Sequence, residues 1–248
     1  MICERRPAVS DVAPVALVTG GARRLGARFV RVLAEEGFRV AFSYNQSGAQ
    51  AEALVDGLVA DGHDVAAFNA DLREERSCTA LLDSVEGEFG PIQCLVNNAG
   101  VLLEGGVETA GVDQFDATIA VNLRAPWLLS LDAGRRMRAR GQGSIVNIAS
   151  VGGLRPYSRH LAYSVSKAGL IMLTRGLARD FAPELRVNAI APGMVDLGDD
   201  VGMPAPDRVP LGSWAQPEDL EDALLYLVDA RHVTGQILAI DGGWSLGA

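Results

Sequence analysis

The sequence is short of cysteine, and its few cysteines are not arranged as a site. Cys3, Cys78 and Cys94 are odd in number, and no two of them lie at a spacing that binds a metal. We therefore expect neither a disulfide framework nor a metal site, and a reducing cytoplasm fits the chain best. Cys94 lies in the apolar run IQCLVN, which favours a buried free thiol.

Basic charge and long apolar runs are also scarce. Lys and Arg number 22 against 31 Asp and Glu, which gives a formal charge of −9. Such an acidic chain is a poor general binder of nucleic acid or of anionic membranes, so we expect neither as a partner. No apolar run reaches the roughly 18 residues of a membrane-spanning helix. The N-terminal segment MICERRPAVSDVAP lacks the apolar core of a signal peptide, and we expect none.

What the sequence does contain is hydrophobic residues in a regular order. They make up 48% of the 248 residues, which is enough for a sizeable core. Short β-type runs rich in Val, Ile, Leu and Ala are typical of strands buried on both faces of a parallel sheet. These runs cover residues 15–20, 39–44, 64–70, 92–98, 143–150, 185–193 and 235–243.

Helical stretches alternate with the β-type runs. They cover residues 25–36, 48–61, 74–89, 112–140, 161–181 and 217–229. This alternation predicts an α/β fold, a Rossmann-type doubly wound sheet of about seven parallel strands with helices on both faces. We expect a single dinucleotide-binding and catalytic domain at 14–248 after a flexible arm at 1–13. Ligands bind such sheets at the C-terminal ends of the strands.

The first β-type run leads into a glycine-rich turn, Thr19–Gly26, at the start of the first helix. Such a turn lets a pyrophosphate approach backbone N–H groups at the helix N-terminus. Glycine is also ordinary turn punctuation, but the position between a first strand and a first helix favours a dinucleotide site.

The residues around this turn indicate which dinucleotide binds. NAD-binding folds usually place a carboxylate after the second strand, where it accepts a hydrogen bond from the ribose 2′-hydroxyl. Here that segment reads YNQS at 44–47, without Asp or Glu, while Arg23 and Arg24 lie in the neighbouring turn. The combination predicts a 2′-phosphate, and therefore NADPH/NADP+. The alternative is that both arginines are solvated turn residues.

Tyr163 and Lys167 are four residues apart in a helical stretch, so they share one face of the helix. A nearby ammonium favours the phenolate and lowers the pKa of a phenol from its ordinary value near 10. Tyr163 is therefore a candidate proton donor to a carbonyl oxygen while hydride reaches the carbon. Taken alone, the pattern is more often a surface helix pair.

Two further polar residues strengthen this interpretation. Ser150 ends the run 143–150, where its hydroxyl can hold a substrate oxygen beside the tyrosine. Asn122 lies in a helical stretch shortly before Pro126, and a proline interruption frees a carbonyl that an Asn and a water can use. A packing or capping amide is the alternative for Asn122.

These motifs stand in the order of the short-chain dehydrogenase/reductase family, which the chain resembles over about residues 14–246. The matching motifs are TGGARRLG, Asp71 in NADL, NNAG (97–100), Asn122, Ser150, YSVSK (163–167), APG (191–193) and DGGW (241–244). The resemblance implies that Tyr163 is the acid/base. It also implies that Lys167 binds the nicotinamide ribose and lowers the tyrosine pKa, that Ser150 orients substrate and that Asn122 supports a water relay.

The resemblance further implies cofactor contacts and an assembly. Asp71 and Leu72 would flank the adenine, and Pro192 and Gly193 the nicotinamide. The full set of expected cofactor residues is Gly20, Arg23, Arg24, Leu25, Tyr44, Asn45, Ser47, Asp71, Leu72, Asn98, Ala99, Gly100, Tyr163, Lys167, Pro192 and Gly193. A homotetramer or homodimer built on the helices 112–140 and 161–181 is expected.

The glycine turn departs from the usual T-G-x-x-x-G-x-G pattern, because Arg24 replaces the middle glycine. That arginine is similar to the pteridine reductase branch, as is the segment 44–47. Trypanosomatid-type members of that branch, however, carry Asp at the place of Ser150 and an aromatic residue just after the N-N-A segment. Here Val101, Leu102 and Leu103 follow, and none of them stacks on a pterin as a ring does.

The substrate therefore stays open between a ketone or similar carbonyl compound, a pterin and a 3-oxoacyl carrier protein. For the last, the arginines 135, 136, 138 and 140 would receive an acidic carrier, although such a run is more often a solvated helix face. A non-catalytic NADP-sensing module is a remote alternative, since such members typically lose the tyrosine or lysine. The residues expected to line the substrate space are Leu103, Leu154, Tyr157, His160, Met194, Met203 and Trp214.

Overall fold

The computed structural model describes residues 13–198 and 205–247, and seven parallel strands form one sheet in it. The strands run in the order β3-β2-β1-β4-β5-β6-β7. They are β1 (Val15–Val18), β2 (Arg39–Tyr44), β3 (Val65–Asn69), β4 (Ile92–Asn97), β5 (Gly143–Ile148), β6 (Leu185–Pro192) and β7 (Ile237–Ile240). The predicted doubly wound sheet is confirmed.

Helices connect successive strands. They are α1 (Arg24–Glu35), α2 (Gly48–Ala60), α3 (Glu75–Phe89), α4 (Val112–Ile119), α5 (Ala125–Ala139), α6 (Leu161–Asp180) and α7 (Pro217–Asp229). A π-helical turn, Ala120–Arg124, joins α4 to α5, and short 3₁₀ turns occupy Val151–Gly153, Pro206–Arg208 and Trp244–Leu246.

The first strand shows why the sheet is covered on both faces. All four residues of β1 are buried, and alternate side chains enter different cores. Val15 and Leu17 pack in one core with residues of α3, α5 and α6, whereas Ala16 and Val18 pack in the other with residues of α1, α2 and α7. A continuous apolar run therefore makes a strand that is buried from both sides.

The strand order reverses at β1, which pairs with β2 on one side and with β4 on the other. A crevice opens at such a switch point, outside the carboxyl ends of the strands. The Thr19 N–H extends the ladder by donating to the Val96 carbonyl at 3.0 Å. The glycine turn and the NNAG segment consequently meet at this edge of the sheet.

Several boundaries differ from expectation. The stretch 112–140 was expected to be one helix, but the π-helical turn divides it just before Pro126, as a proline interruption requires. The last strand is shorter than the run 235–243, because Asp241–Gly243 turn away from the sheet. Residues 1–12 of the expected arm, which include Cys3, and Met203 lie outside the described residues. Cys94 is a buried thiol outside any disulfide, as expected, and so is Cys78.

Among the described residues, no helix combines the length and the apolar character that crossing a bilayer requires.

Candidate active site

The cofactor turn, residues 19–26, is shaped by close backbone packing. Gly20 has φ +64°, in the left-handed region that favours glycine. A Cβ on Gly26 would lie 2.1 Å from the Gly20 carbonyl oxygen, so only glycine allows α1 to begin there. The Gly21 N–H donates to the Ser43 carbonyl at 2.9 Å, which fixes the turn against the end of β2. The residues present fit a dinucleotide phosphate, which needs bare backbone at a helix N-terminus.

Thr19 and Asn98 hold this turn to the segment after β4. The Thr19 hydroxyl accepts the N–H groups of Asn98 and Ala99, each at 3.0 Å. The Asn98 side-chain amide donates back to the carbonyls of Thr19 at 2.9 Å and Gly20 at 3.1 Å. These reciprocal bonds bring Asn98 and Ala99 beside the glycine turn.

The two arginines of the turn are exposed, as a contact with a bound phosphate requires. Arg24 is the first residue of α1 and has φ +53°, a conformation that non-glycine residues rarely adopt. Leu25 is half-buried and packs on the core beside α1. Arg24 stands at the position where the T-G-x-x-x-G-x-G pattern has glycine. Its positive φ is unfavourable for arginine and would be unstrained for glycine.

The segment after β2 lies beside the arginines. Tyr44 is half-buried at the strand end, Asn45 is exposed, and Ser47 precedes α2. The Asn69 amide donates to the Asn45 carbonyl at 2.8 Å, which ties this segment to β3.

Asp71 and Leu72, expected beside the adenine, follow β3. Leu72 is buried, and Asp71 is held by Arg73 through paired contacts of 3.0 Å and 2.5 Å. The hydrogen bonds from the Arg73 side chain hold the pKa of the Asp71 carboxyl below its usual value. The carboxylate that was expected near the adenine is thus already paired within the chain.

Ser150 stands two residues beyond β5 and is buried. Its backbone is extended, and its hydroxyl accepts the Gly152 N–H at 3.0 Å, which starts the 3₁₀ turn Val151–Gly153. A Cβ on Gly152 would lie 3.2 Å from Cε1 of Tyr163, so the turn that Ser150 starts packs against the tyrosine ring. The Ser150 hydroxyl acts to lower the pKa of the Tyr163 phenol.

Tyr163 and Lys167 share one face of α6, with the Lys167 Nζ 5.7 Å from the centre of the Tyr163 ring. Lys167 is buried, and its Nζ donates to the Ile148 carbonyl at 2.7 Å. Burial lowers the pKa of Lys167 to about 8 from 10.5.

The expected lowering of the Tyr163 pKa by Lys167 is corrected by the structure. Burial raises the pKa of Tyr163, and the contact with Ser150 only partly opposes that rise. The sequence shows the spacing of the two residues, but it does not show that Lys167 is buried and Tyr163 half-buried. Tyr163 is consequently a protonated phenol at neutral pH in this arrangement.

Asn122 lies in the π-helical turn and is buried. Its side chain forms a two-way bridge to the backbone of Val101, accepting the N–H at 2.8 Å and donating to the carbonyl at 2.9 Å. It also donates to the Ser166 hydroxyl at 3.1 Å, and Ser166 donates to the Tyr163 carbonyl at 2.7 Å. Asn122 thus connects the segment after β4 to the helix of Tyr163.

Gly100 lies above this cluster. A Cβ on Gly100 would lie 3.5 Å from the Asn122 Oδ1 and 3.6 Å from the Lys167 Nζ. The two polar atoms therefore approach the same small space. We call Asn122, Ser150, Tyr163 and Lys167 the catalytic cluster.

The end of β6 closes the other side of the crevice. Pro192 is buried, and a Cβ on Gly193 would lie 2.8 Å from the Cα of Asp241. The Ala215 N–H donates to the Met194 carbonyl at 3.0 Å, so Met194 and the neighbouring Trp214 belong to one paired segment.

The expected substrate residues come from two loops that touch each other. His160 is half-buried, with its Nδ1 3.3 Å from the Leu103 carbonyl oxygen, and the Gly105 N–H donates to the Arg159 carbonyl at 2.7 Å. Leu103 and Leu154 are exposed at 38% and 44%, which leaves apolar surface at the mouth of the site.

The arginine run on α5 is mostly committed to intramolecular contacts. Arg136 binds Asp132, Asp83 and Glu86. Arg140 binds Glu86 at 3.1 Å and the Ile92 carbonyl at 2.8 Å. Arg138 lies over the Phe181 ring at 5.4 Å, and Arg135 is exposed.

Sequence reasoning missed Thr19, Ser43 and Ser166, whose hydroxyls organise the site. A polar residue between Tyr163 and Lys167 on the buried side of a helix was a signal for Ser166. The Ser43 hydroxyl accepts the Gly20 N–H at 3.3 Å, and no pattern in the sequence distinguishes it from an ordinary strand residue.

Known proteins are similar to this chain over most of its length. A family model described as short chain dehydrogenase matches residues 14–202. The cis-4-hydroxycyclohexanecarboxylate dehydrogenase of Sinomonas cyclohexanicum is 37% identical over 243 residues, which are 93% of this chain and 96% of that protein. A 3-oxoacyl-[acyl-carrier-protein] reductase of Staphylococcus aureus is 32% identical over 237 residues, covering 92% of this chain and 96% of the reductase.

A solved structure is similar to the fold of this chain. A blue fluorescent protein from a metagenomic library, in complex with NADPH, has a TM-score of 0.88 and 34% sequence identity. The match covers 94% of this chain and 98% of that one.

Proposed function

The chain belongs to the short-chain dehydrogenase/reductase family, and on that premise we propose that it reduces a ketone or similar carbonyl compound with NADPH, with Tyr163 as the proton donor. It is a nicotinamide-dependent oxidoreductase acting on CH–OH or C=O groups. The observation that carries the proposal is that the Lys167 Nζ and the turn started by Ser150 both lie against the Tyr163 ring at the carboxyl edge of the sheet.

Tyr163 is suited to act as an acid. Because burial raises its pKa, the phenol holds its proton at neutral pH and has it available for the carbonyl oxygen. Ser150 lies at the same phenol and donates a hydrogen bond to the substrate oxygen as negative charge develops there. The bound nicotinamide supplies the hydride.

Lys167 is suited to hold the cofactor ribose. One of its three N–H donors is taken by the Ile148 carbonyl, and the ammonium faces the space under Gly100 with the others. Asn122, fixed by Val101, faces the same space and supports proton resupply through water.

The preference for NADPH rests on charge at the cofactor turn. Arg23 and Arg24 are exposed next to the end of β2, and the segment 44–47 offers no carboxylate to a ribose 2′-hydroxyl. An arginine binds a 2′-phosphate through paired hydrogen bonds, which a free hydroxyl does not provide. The NADPH complex of the similar blue fluorescent protein supports this choice.

The substrate that fits best is a small to medium ketone. The residues proposed for the site mouth are Leu103, Leu154, Met194 and Trp214. The position directly after Ala99 is Gly100, so a pterin finds no aromatic residue there to stack on. A carrier-linked 3-oxoacyl group is the second candidate, favoured by the Staphylococcus aureus relative. The intramolecular pairing of Arg136 and Arg140 weighs against carrier docking on α5.

The protein assembles as a homodimer or homotetramer in this proposal. Leu161, Val165, Ala168 and Met172 form one exposed stripe along α6, and the three large side chains are 46% to 63% exposed. Phe115 of α4 lines a groove together with Leu161 and Val165 of this stripe. A soluble helix rarely leaves such an apolar face to water.

The oligomer is tested by Val165→Glu, with the exposed Val59→Glu on α2 as the matched control. Light scattering after size exclusion is expected to give a monomer or dimer for the first variant and the wild-type mass for the second. An unchanged mass for Val165→Glu contradicts the α6 interface.

The function is tested by NADPH oxidation with a panel of probes: ethyl acetoacetate, 4-oxocyclohexanecarboxylate, an acetoacetyl thioester, a quinone and biopterin. We expect turnover of at least one ketone, and a loss of about 1,000-fold or more in Tyr163→Phe, since the proton donor is gone. NADPH fluorescence titration is expected to show near-normal binding by that variant. Retained turnover in Tyr163→Phe refutes the assignment, and turnover of biopterin alone shifts it to pterins.

A further inference from the structure

Arg155 joins the loop after Ser150 to the C-terminal end of the chain. Its Nη1 donates to the carbonyls of Trp244 at 2.9 Å and Gly247 at 2.6 Å, across sequence separations of 89 and 92 residues. The Arg155 side chain is half-buried. Arginine commonly donates to the last carbonyls of a helical turn, and Trp244–Leu246 is such a turn. We call these two hydrogen bonds the Arg155 link.

The backbone of Arg155 is fixed on the side of the catalytic cluster. Its N–H donates to the Val151 carbonyl at 2.8 Å and so extends the turn that the Ser150 hydroxyl starts. Two residues further on, the Tyr157 N–H donates to the Ser164 hydroxyl at 3.0 Å, in the first turn of α6. The loop is therefore anchored on both sides of Arg155.

Residues 241–247, which we call the C-terminal turn, pack against the opposite side of the crevice. The Leu211 N–H donates to the Gly242 carbonyl at 3.1 Å. A Cβ on Gly242 would lie 2.5 Å from Cγ1 of Val209, so the two segments touch through bare backbone. The chain continues from Leu211 to Trp214, which is one of the residues proposed for the site mouth.

Asp241 gives the C-terminal turn its shape. Its carboxylate accepts the N–H groups of Gly243 at 3.0 Å and Ser245 at 2.8 Å. A Cβ on Gly193 would lie 2.8 Å from the Asp241 Cα, so the turn also contacts the end of β6. The C-terminal turn is therefore internally braced, and a side chain that holds it also holds the segments packed against it.

Arg155 thus connects two walls of the proposed substrate space. One wall is the loop that contains Leu154, and the other is the segment that contains Trp214. We propose that Arg155 is a positioning residue for substrate size: through the C-terminal turn, its guanidinium sets the distance between these walls. It touches no reacting atom. This inference rests on the proposed function, because it needs a carbonyl substrate to bind between the two walls.

The test is Arg155→Ala, assayed with NADPH and two matched ketones. The first is the panel ketone that the wild type turns over fastest, and the second is the same ketone with one added phenyl group. Without the Arg155 link the walls separate and the smaller ketone loses contacts. We expect its KM to rise about 10-fold with kcat within about twofold, because uniform binding is lost. The kcat/KM for the phenyl ketone is expected to stay level or rise, so the preference for the smaller ketone falls about 10-fold or more.

Two further variants sharpen this test. Arg155→Lys keeps a cationic donor but not the guanidinium, so its preference is expected to lie between those of the wild type and Arg155→Ala. Arg76→Ala, an exposed arginine of α3, is the matched control and is expected to leave both ketones within about twofold. NADPH titration identifies a variant that fails to fold, and if Arg155→Ala does, Arg155→Lys carries the comparison.

Hydrogen–deuterium exchange provides a measurement that needs no turnover. The amides of the C-terminal turn are expected to exchange faster in Arg155→Ala than in the wild type. Faster exchange with an unchanged ketone preference shows that the Arg155 link only stabilises the chain end, and overturns the inference. Unchanged exchange overturns it as well, and so does an equal loss of kcat with both ketones. A wild type that turns over no panel ketone contradicts the proposed function itself, while the exchange still reports on the link.

Discussion

The cofactor turn and the catalytic cluster lie in the same crevice, but the turn is formed mainly by backbone and the cluster by buried polar side chains. The turn consists of backbone held by glycine, with charged side chains in solvent. The cluster consists of polar side chains in the protein interior, and Asn122, Ser150 and Lys167 are each no more than 5% exposed. An exposed side chain of the turn can therefore be replaced with little effect on the free energy of unfolding. In the cluster, each buried polar group costs desolvation free energy, so replacing it changes the stability of the fold.

The largest effect is expected at Gly26, where the turn has no room for a side chain. Gly26→Ala places a Cβ 2.1 Å from the Gly20 carbonyl oxygen, so the turn must open. We expect at least about 2 kcal/mol of destabilisation and a weakening of NADPH binding by about 100-fold or more. Denaturant unfolding and fluorescence titration measure the two effects.

The control carries the same chemical change. Gly57 lies in α2 with no atom within 4 Å of an added Cβ. Gly57→Ala is expected to stabilise the chain by about 0.5–1 kcal/mol, because alanine is the better helix former. Equal behaviour of the two variants would show that the turn is not packed as described.

A second large effect is expected in the cluster, with the opposite sign for stability. The Lys167 pKa near 8 against an ordinary 10.5 corresponds to about 3 kcal/mol of cost to the buried charged form. Lys167→Met is expected to raise the free energy of unfolding at pH 7 by about 2 kcal/mol, while turnover falls at least about 100-fold. Thermal unfolding and NADPH oxidation check the two halves.

The buried Lys167 ammonium also makes the free energy of unfolding depend on pH. The folded pKa lies below the unfolded value, so between pH 10.5 and 8 the unfolded chain binds the proton first. Wild-type stability relative to Lys167→Met therefore falls as pH drops through that window and is level below it. A difference that stays constant from pH 7 to 10.5 contradicts the buried ammonium.

A smaller effect separates strain from charge in the turn. Arg24→Gly relieves the positive φ and is expected to stabilise the chain by about 1 kcal/mol. It is also expected to lower the ratio of kcat/KM for NADPH over NADH by about 10-fold or more. Arg24→Ala keeps the unfavourable backbone and loses the charge, so it should match the cofactor effect without the gain in stability. If neither variant changes the cofactor ratio, Arg24 does not bind the 2′-phosphate.

The smallest effect is expected outside both regions. Arg135→Ala changes an exposed arginine of α5, and we expect less than about 0.5 kcal/mol in stability. Turnover of an acetoacetyl group on acyl carrier protein is expected to change less than about twofold. A selective rise in KM for the carrier-linked form would revive the carrier interpretation of this helix.

The same contrast explains what the sequence predicts and what it does not. Val15–Val18 form a continuous apolar run, and Tyr163 and Lys167 have a fixed helical spacing, so the sheet and the pairing of these residues follow from local pattern. The direction of the Tyr163 pKa shift does not, because it depends on how far the folded chain removes the phenol from water. The φ of Arg24 is equally hidden, since the residue type favours another conformation.

The π-helical turn has a consequence for the chain's tolerance of insertions and deletions. The Ala125 N–H donates to the carbonyl of Ala120, five residues back, so this turn holds one residue more than an α-helix would. Removing Ala120 or Arg124 would restore ordinary α-helical winding and turn the side chains inside the segment by up to one residue step, about 100°, around the helix axis. Asn122 would then leave Val101 and Ser166, although Val121 and Leu123 beside it were unchanged. The number of residues in this segment thus determines the direction in which Asn122 points.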